Sequence, residues 1–525
     1  MHAFKRDRAA AVIETTAGAL RGYEYDGLSV FKGIPYARAR RFHAPEPVEK
    51  WSRTPDHFST GSGVRDAGSY GFVCPLMSLP EPNGELYVPH RYWPMDENCQ
   101  NVNVWTPAPD GKKRPVLVWL HGGGFTDGSA IEHIAYDGAN MSRLGDAVVV
   151  SVNHRLNLLG YFDLSEFGEE YENAGNAGGD DIIAALMWIR DNIECFGGDP
   201  GNVTVFGQSG GGAKVTTLLQ SPAADGLYAK GIVMSGVIDE NITKGGGSGP
   251  ELARALMREL GASDIRGLEK VDYHDLARAT LRVKPALEKA GHAVGFWPHP
   301  NAHYVGDPLS CGFRAETADV PLMVGSVFGE FASFSPAPWD RDAMTDGEQV
   351  AALRDMLGRE NADKLIPLFR EAYPERHVID LMRLDALFRA PEIRYIRARS
   401  ALNRSTWSYL FNMDQPIDGG NTPWHCSDIP YAFHNIDLVE YPHGDGDLAE
   451  RVQRQVFGAV MAFARTGDPN CDHLPAWPAS RPDEEHTLVV DGSTRVKRSF
   501  DHALVEAFAR CVRPDVQAGD GEVQH

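Results

Sequence analysis

The sequence predicts an α/β protein built on a mostly parallel sheet. Two observations carry that reading. Short unbroken apolar runs, each bounded by proline, glycine or polar residues, recur along the chain and read as buried central strands. Between them lie segments with apolar residues at helical spacing, so that strand and helix alternate.

The elements follow in order. Val12–Thr16 and Ala19–Tyr23, separated by Ala17-Gly18, open the chain as β-structure, and Leu28–Phe31 follows. A Pro/Gly-rich stretch from Ala44 to Pro94 lacks periodicity and reads as long surface loops. Val116–Leu120 and Ala147–Val152 are continuous apolar runs of the central-strand type. Asp181–Ile193 carries Ile182, Leu186, Ile189 and Ile193 at helical spacing. Val203–Phe206 is a further strand, Gly212–Gln220 a helix, and Gly231–Met234, Leu322–Val324 and Thr406–Phe411 complete the strand series. Residues 241–320 and 341–400 read as mostly helical insertions within a single domain spanning 1–525, capping one end of the sheet. The glycine run Gly245–Gly249 follows no strand and lacks a Lys-Ser/Thr ending, so it is a connection and not a phosphate loop.

Composition narrows the function classes. A net charge of −21 works against nucleic-acid and anionic-membrane partners, which need basic patches. No stretch approaches the roughly 18 unbroken apolar residues of a membrane span. The N-terminal apolar stretch is too short for a signal peptide, so a cytoplasmic location is expected, with a secreted or periplasmic mature form left open. Seven cysteines, none in a C-x-x-C pair, argue against a disulfide scaffold and a structural zinc site. Cys74 and Cys99 bracket a Pro/Gly-rich loop, and both a bridge and two free thiols are compatible with that spacing.

Chemistry concentrates at two glycine-rich turns. Gly207-Gln208-Ser209-Gly210-Gly211 fits G-x-S-x-G, directly after one strand and directly before one helix. On such a turn the serine is lifted above the sheet edge, flanking side chains would collide, and the helix N-terminus faces developing negative charge. His121-Gly122-Gly123-Gly124-Phe125 follows the Val116–Leu120 strand. Its glycines let bare N–H groups approach an oxyanion, and Gly123, Gly124 and Gly210 are the candidate donors. His121 reads as a structural hydrogen-bonding residue.

At this point the chain resembles the type-B carboxylesterase and cholinesterase family, members of the α/β-hydrolase fold. The resemblance runs through Phe31–Ala37, Glu97-Asn98-Cys99, Asn103–Pro107, Asn153-His154-Arg155, Phe196–Pro200 and Phe463–Asn470. It implies a Ser-acid-His triad, which the residues alone, with 19 histidines and 72 acids, do not single out. Val324–Glu330 lines up with the family's V-G-x-x-x-D-E-G segment and implies Glu330 as the orienting acid. His425, in Thr422–Asp428, lines up with its A-x-H-G-x-E and implies the general base. Ser235 and Asp428 match residues that support the triad from behind.

The departures are specific. Gly329 and Phe331 replace the aspartate and glycine around the acid, Cys426 replaces the glycine after the histidine, and Gln208 replaces the glutamate before the serine. Pro89 stands where cholinesterases carry a choline-stacking tryptophan, with Trp93 out of register, which disfavours a quaternary-ammonium ester. Phe125, Phe296, Trp297, Phe328 and Phe331 are the aromatic candidates for the substrate pocket. The implied reaction is two-step acyl transfer on a small-molecule ester, without metal or organic cofactor. An amidase, thioesterase, lipase or carbamate hydrolase would use the same machinery. Non-catalytic adhesion relatives lack the nucleophile, and no ligand-spaced cluster suggests a metallohydrolase.

Overall fold

The computed structural model describes the chain apart from residues 1–3, 6–10, 52–62, 79–89, 239–248, 335–336, 418–420, 440–445 and 513–525. Pro89 and most of the glycine run at Gly245–Gly249 therefore lie outside the described residues.

A twelve-stranded sheet forms the core of the architecture. Its strands are β1 (Phe4–Lys5), β2 (Tyr23–Tyr25), β3 (Leu28–Pro35), β4 (Asn101–Thr106), β5 (Arg114–Leu120), β6 (Val148–Asn153), β7 (Gly198–Gln208), β8 (Lys230–Met234), β9 (Leu322–Val327), β10 (Thr406–Phe411), β11 (His486–Val490) and β12 (Arg495–Arg498). The spatial order is β1-β2-β3-β4-β6-β5-β7-β8-β9-β10-β11-β12. From β6 to β11 every neighbouring pair is parallel. Antiparallel pairs flank that block at both edges. The fold is that of an α/β-hydrolase.

The parallel strands are apolar on both faces because helices cover both faces. Val116, Val118 and Leu120 of β5 join one core layer with Ile182, Leu186 and Ile189 of α1 (Ala177–Asn192). Leu117 and Trp119 join the opposite layer with Val452, Val460 and Phe463 of the helix Gly446–Thr466. Side chains of successive strand residues point to opposite faces, so one continuous apolar run serves both layers.

Pro250–Leu260 and Tyr273–Lys289 pack together on a separate apolar cluster, and Asp346–Leu357 packs with Arg359–Ala372 on another. The strand β4, Asn-Val-Asn-Val-Trp-Thr, is wholly buried despite its two asparagines. Asn103 accepts from the Gly33 N–H at 3.0 Å and donates to Ser151 at 3.0 Å, which satisfies its amide inside the core. Among the described residues, no helix is long and apolar enough to cross a membrane.

Cys74 and Cys99 are both buried free thiols, not a bridge. Cys74 Sγ accepts from the Leu156 N–H at 3.2 Å.

Candidate active site

β7 ends at Gln208 and the helix α2 (Gly210–Leu219) begins two residues later. Ser209 occupies the turn with φ 57° and ψ −126°. A non-glycine residue held there costs about 1–3 kcal/mol, which the surrounding structure must over-determine. Part of that constraint is the Ser209 N–H bonded to Met234 O of β8 at 2.8 Å. A methyl group on Gly211 would overlap Leu120 O at the end of β5, so position 211 admits glycine alone.

The glycine loop that follows Leu120 leaves β5 in the same place. Gly123 and Gly124 have φ of 79° and 62°, conformations natural to glycine. Gly124 packs directly on the elbow: a methyl group on Gly210 would lie 2.5 Å from Gly124 N and would overlap its carbonyl oxygen. Among the described residues, no protein acceptor takes the N–H of Gly123, Gly124 or Gly210. Gly210 is the first residue of α2, where an N–H has no intrahelical partner. The His121 ring is buried, bonds Gly122 O through Nδ1 at 2.9 Å and stacks on His154 at 5.0 Å.

Glu330 follows β9 with φ 29°. Its Oε2 meets His425 Nδ1 at 2.5 Å. Its Oε1 accepts from Ser235 Oγ at 2.7 Å and from the Val327 N–H at 3.0 Å. Three donors thus face one buried carboxylate. Asp428 lies behind it, accepting from Tyr409 OH at 2.9 Å. Burial first, and the neighbouring Glu330 second, push the Asp428 carboxyl up to about 7. Gln208 Nε2 lies 3.3 and 3.2 Å from the two nitrogens of the His425 ring. Nearly equal distances to both nitrogens place the amide across the ring, not on one lone pair. Cys426, at φ 78°, donates its thiol to Gln208 Oε1 at 3.2 Å.

The two departures around the acid have a packing reason. A Cβ on Gly329 would lie 2.5 Å from Pro423 O and would overlap Ser333 Oγ, so no side chain fits there. Phe331 instead lays its ring against His425, with centroids 4.3 Å apart. Phe388 stacks on the same imidazole at 5.3 Å and 14°.

A cavity of about 440 Å³ joins these parts. Its wall includes Gly123, Gly124, Gln208, Ser209, His425 and Cys426, with Tyr92, Trp93, Tyr136, Phe331 and Phe334 as aromatic lining. Among the described residues, no hydrogen bond joins the Ser209 hydroxyl to the imidazole; both face this space. Asp127 and Glu132 also face it, and burial raises them to about 6 and about 8.

Of the five aromatic candidates, only Phe331 lines this cavity. Phe328 is 1% exposed and packs in the cluster around Phe369 and Tyr373, with the Arg376 guanidinium 4.0 Å above its ring. Phe296 is buried in the core under Pro250–Leu260. Phe125 and Trp297 meet edge to face at 5.4 Å and line a separate space of about 80 Å³ beside Ala213 and Gly236. Conversely, Tyr92, Tyr136, Phe334 and Phe388 were not singled out by the sequence, because nothing in their spacing distinguishes them from core aromatics. Trp93, out of register with the choline-stacking position, nevertheless stands in the wall. Among the described residues, no group of three His, Cys, Asp or Glu side chains is placed to hold a metal.

Known proteins resemble this chain over nearly its full length. The sequence pattern of the "Carboxylesterase family" matches residues 9–507. Para-nitrobenzyl esterase of Bacillus subtilis is 31% identical over 93% of this chain and 96% of its own. Phenmedipham hydrolase of Pseudarthrobacter oxydans is 34% identical over 95% of this chain and 99% of its own. The structure of an esterase from Clostridium hathewayi, described as able to hydrolyze aliphatic aromatic polyesters, superposes with a TM-score of 0.92 at 45% identity, covering 97% of this chain and 100% of that one. With its strained serine turn, its glycine loop and this extent of similarity, the chain belongs to the carboxylesterase family and is an enzyme of that class.

Proposed function

We propose that the protein is a serine hydrolase of carboxylic esters, with Ser209 as nucleophile, His425 as general base and Glu330 as the acid that orients it. The observation that carries this reading is the 2.5 Å bond between Glu330 and His425 Nδ1, which leaves Nε2 for a proton from the serine facing the same cavity. His425 takes the Ser209 proton as the oxygen attacks the ester carbonyl. Glu330 fixes the tautomer and balances the imidazolium. The N–H groups of Gly123, Gly124 and Gly210 receive the oxyanion. The alcohol leaves with the proton from His425, and a water activated by the same base releases the acid.

Ser235 holds Glu330 in place, and Asp428 supports the triad from behind it. The segments at residues 241–320 and 341–400 are insertions within one catalytic domain. The substrate is an ester carrying an aromatic group, since Tyr92, Trp93 and Phe331 line the cavity and are 50%, 39% and 47% exposed. The names of the relatives, a para-nitrobenzyl esterase and an esterase of aliphatic aromatic polyesters, agree with that class.

Hydrolysis of p-nitrophenyl esters from acetate to decanoate, and of the benzoate, by wild type and Ser209→Ala tests the reading. Activity lost in the variant with the fold intact, together with fluorophosphonate labelling of wild type only, is the expected result. Equal activity in both proteins would remove Ser209 from the mechanism.

A further inference from the structure

Lys214 is the only charged residue of α2, the helix that starts beside the nucleophile. It is 1% exposed. Its ammonium donates to His121 O at 2.9 Å, and the structure gives it no carboxylate within ion-pair distance among the described residues. A buried ammonium with one carbonyl acceptor is costly, and an apolar side chain of similar volume would serve packing better. Its place is therefore informative. Side chains on a helix lean toward its N-terminus, which carries Nζ back from α2 to the root of the oxyanion loop. His121 O belongs to the peptide that leads into Gly122, directly ahead of the Gly123 and Gly124 donors.

The groups around Lys214 are few. Glu132 is the carboxylate whose charge favours the ammonium, while burial opposes it and brings it to about 7. Lys214 acts on Glu132 in the same way, against the burial that raises that carboxyl to about 8. The buried rings of His121 and His154 are held neutral by burial, with Lys214 adding to the effect. The Phe125 ring lies 5.7 Å from Nζ. Asp127, also in the cavity wall, acts with burial to raise the Glu132 carboxyl. Among the described residues, the one protein acceptor that this ammonium bonds is thus the carbonyl at the base of the loop.

We infer that Lys214 is a positioning residue for the oxyanion hole: its bond to His121 O fixes the peptide ahead of Gly123 so that the glycine N–H groups point at the reacting oxygen. The inference rests on the serine-hydrolase reading above. Its effect must fall on the tetrahedral state, where charge sits on that oxygen, and not on ester binding.

The test compares wild type, Lys214→Met and Lys214→Gln with p-nitrophenyl butyrate and with an alkyl trifluoromethyl ketone. Ser209 Oγ adds to the ketone carbon, its proton passes to His425, and the carbonyl electron pair moves to the oxygen held by the loop. In Lys214→Met, kcat should fall about 10- to 100-fold, less than for loss of a direct donor. KM should stay within about two-fold, and ketone affinity should fall by the same factor as kcat. Lys214→Gln keeps an N–H donor and should recover part of both. Unchanged kcat and ketone affinity in folded Lys214→Met would overturn the inference, as would a loss of kcat that the ketone does not follow. Two variants that both fail to fold would assign Lys214 to the core instead and overturn it equally. Wild type that neither binds the ketone nor labels with fluorophosphonate would refute the serine-hydrolase reading, a separate result.

Discussion

Cys426 donates its thiol to Gln208 Oε1 at 3.2 Å, and Gln208 in turn lies across the His425 ring. One uncharged amide, held from behind, therefore occupies the flank of the proposed base. Replacing it by a carboxylate would favour the imidazolium. In Gln208→Glu the acid limb of the kcat/KM profile should move to higher pH, by about one unit. Profiles measured from about pH 5 to about pH 9, across the range where histidine titrates, would check this; an unmoved limb would show that the amide position does not sense the imidazole.

Glu330 holds His425 Nδ1 while two other donors hold Glu330. Glu330→Gln keeps the shape but loses control of the tautomer. Its kcat should fall about a thousand-fold or more with little change in KM. Thermal melting within a few degrees of wild type would separate this from unfolding. A variant retaining a tenth of wild-type kcat would mean that another group orients the ring.

Asp428 is fully buried, and its carboxyl is pushed up to about 7. An unfolded aspartate titrates near 3.9. The folded state thus prefers the proton, so the group's favourable share is complete below about pH 4 and is lost as pH rises through about 7. Asp428→Asn can still accept from Tyr409. It should gain stability relative to wild type between about pH 5 and about pH 8, on the order of 2 kcal/mol. Denaturant midpoints at both pH values would check the sign; a gain that does not grow with pH would contradict it.

Gly329 has no room for a side chain between Ser333 and Pro423. Gly329→Ala should cost about 2 kcal/mol or more, because backbone on the histidine loop must move. A calorimetric melt of the variant would show the loss, and activity should fall with it. An unshifted melt would mean that the loop yields freely.

The parallel strands and both glycine turns were legible because their signals are local. Thr406–Phe411 agrees residue for residue, and the boundaries of the Val116–Leu120 and Leu322–Val324 runs differ only by extension. β4 was harder, since its asparagines hide a buried strand whose polar groups are satisfied by neighbours distant in sequence. Glu330 and His425 are 95 residues apart, and only the resemblance to a family joined them. Phe328 and Phe331 look alike as letters, yet one faces Tyr373 and the other His425. That choice depends on the turn between them, which no periodic pattern encodes. Lys214 carried a readable signal, a lone charge in an otherwise uncharged helix, whose partner was out of sight.

A methyl group on Gly210 would overlap the backbone of Gly124, which itself sits at a φ natural to glycine, whereas Tyr92, Trp93 and Phe331 stand half in solvent. The enzyme is accordingly divided into a region that tolerates almost no heritable variation and a rim that tolerates a great deal. A mutational library aimed at new esters should return its viable members from the three rim aromatics and lose nearly all of those that touch the two glycines.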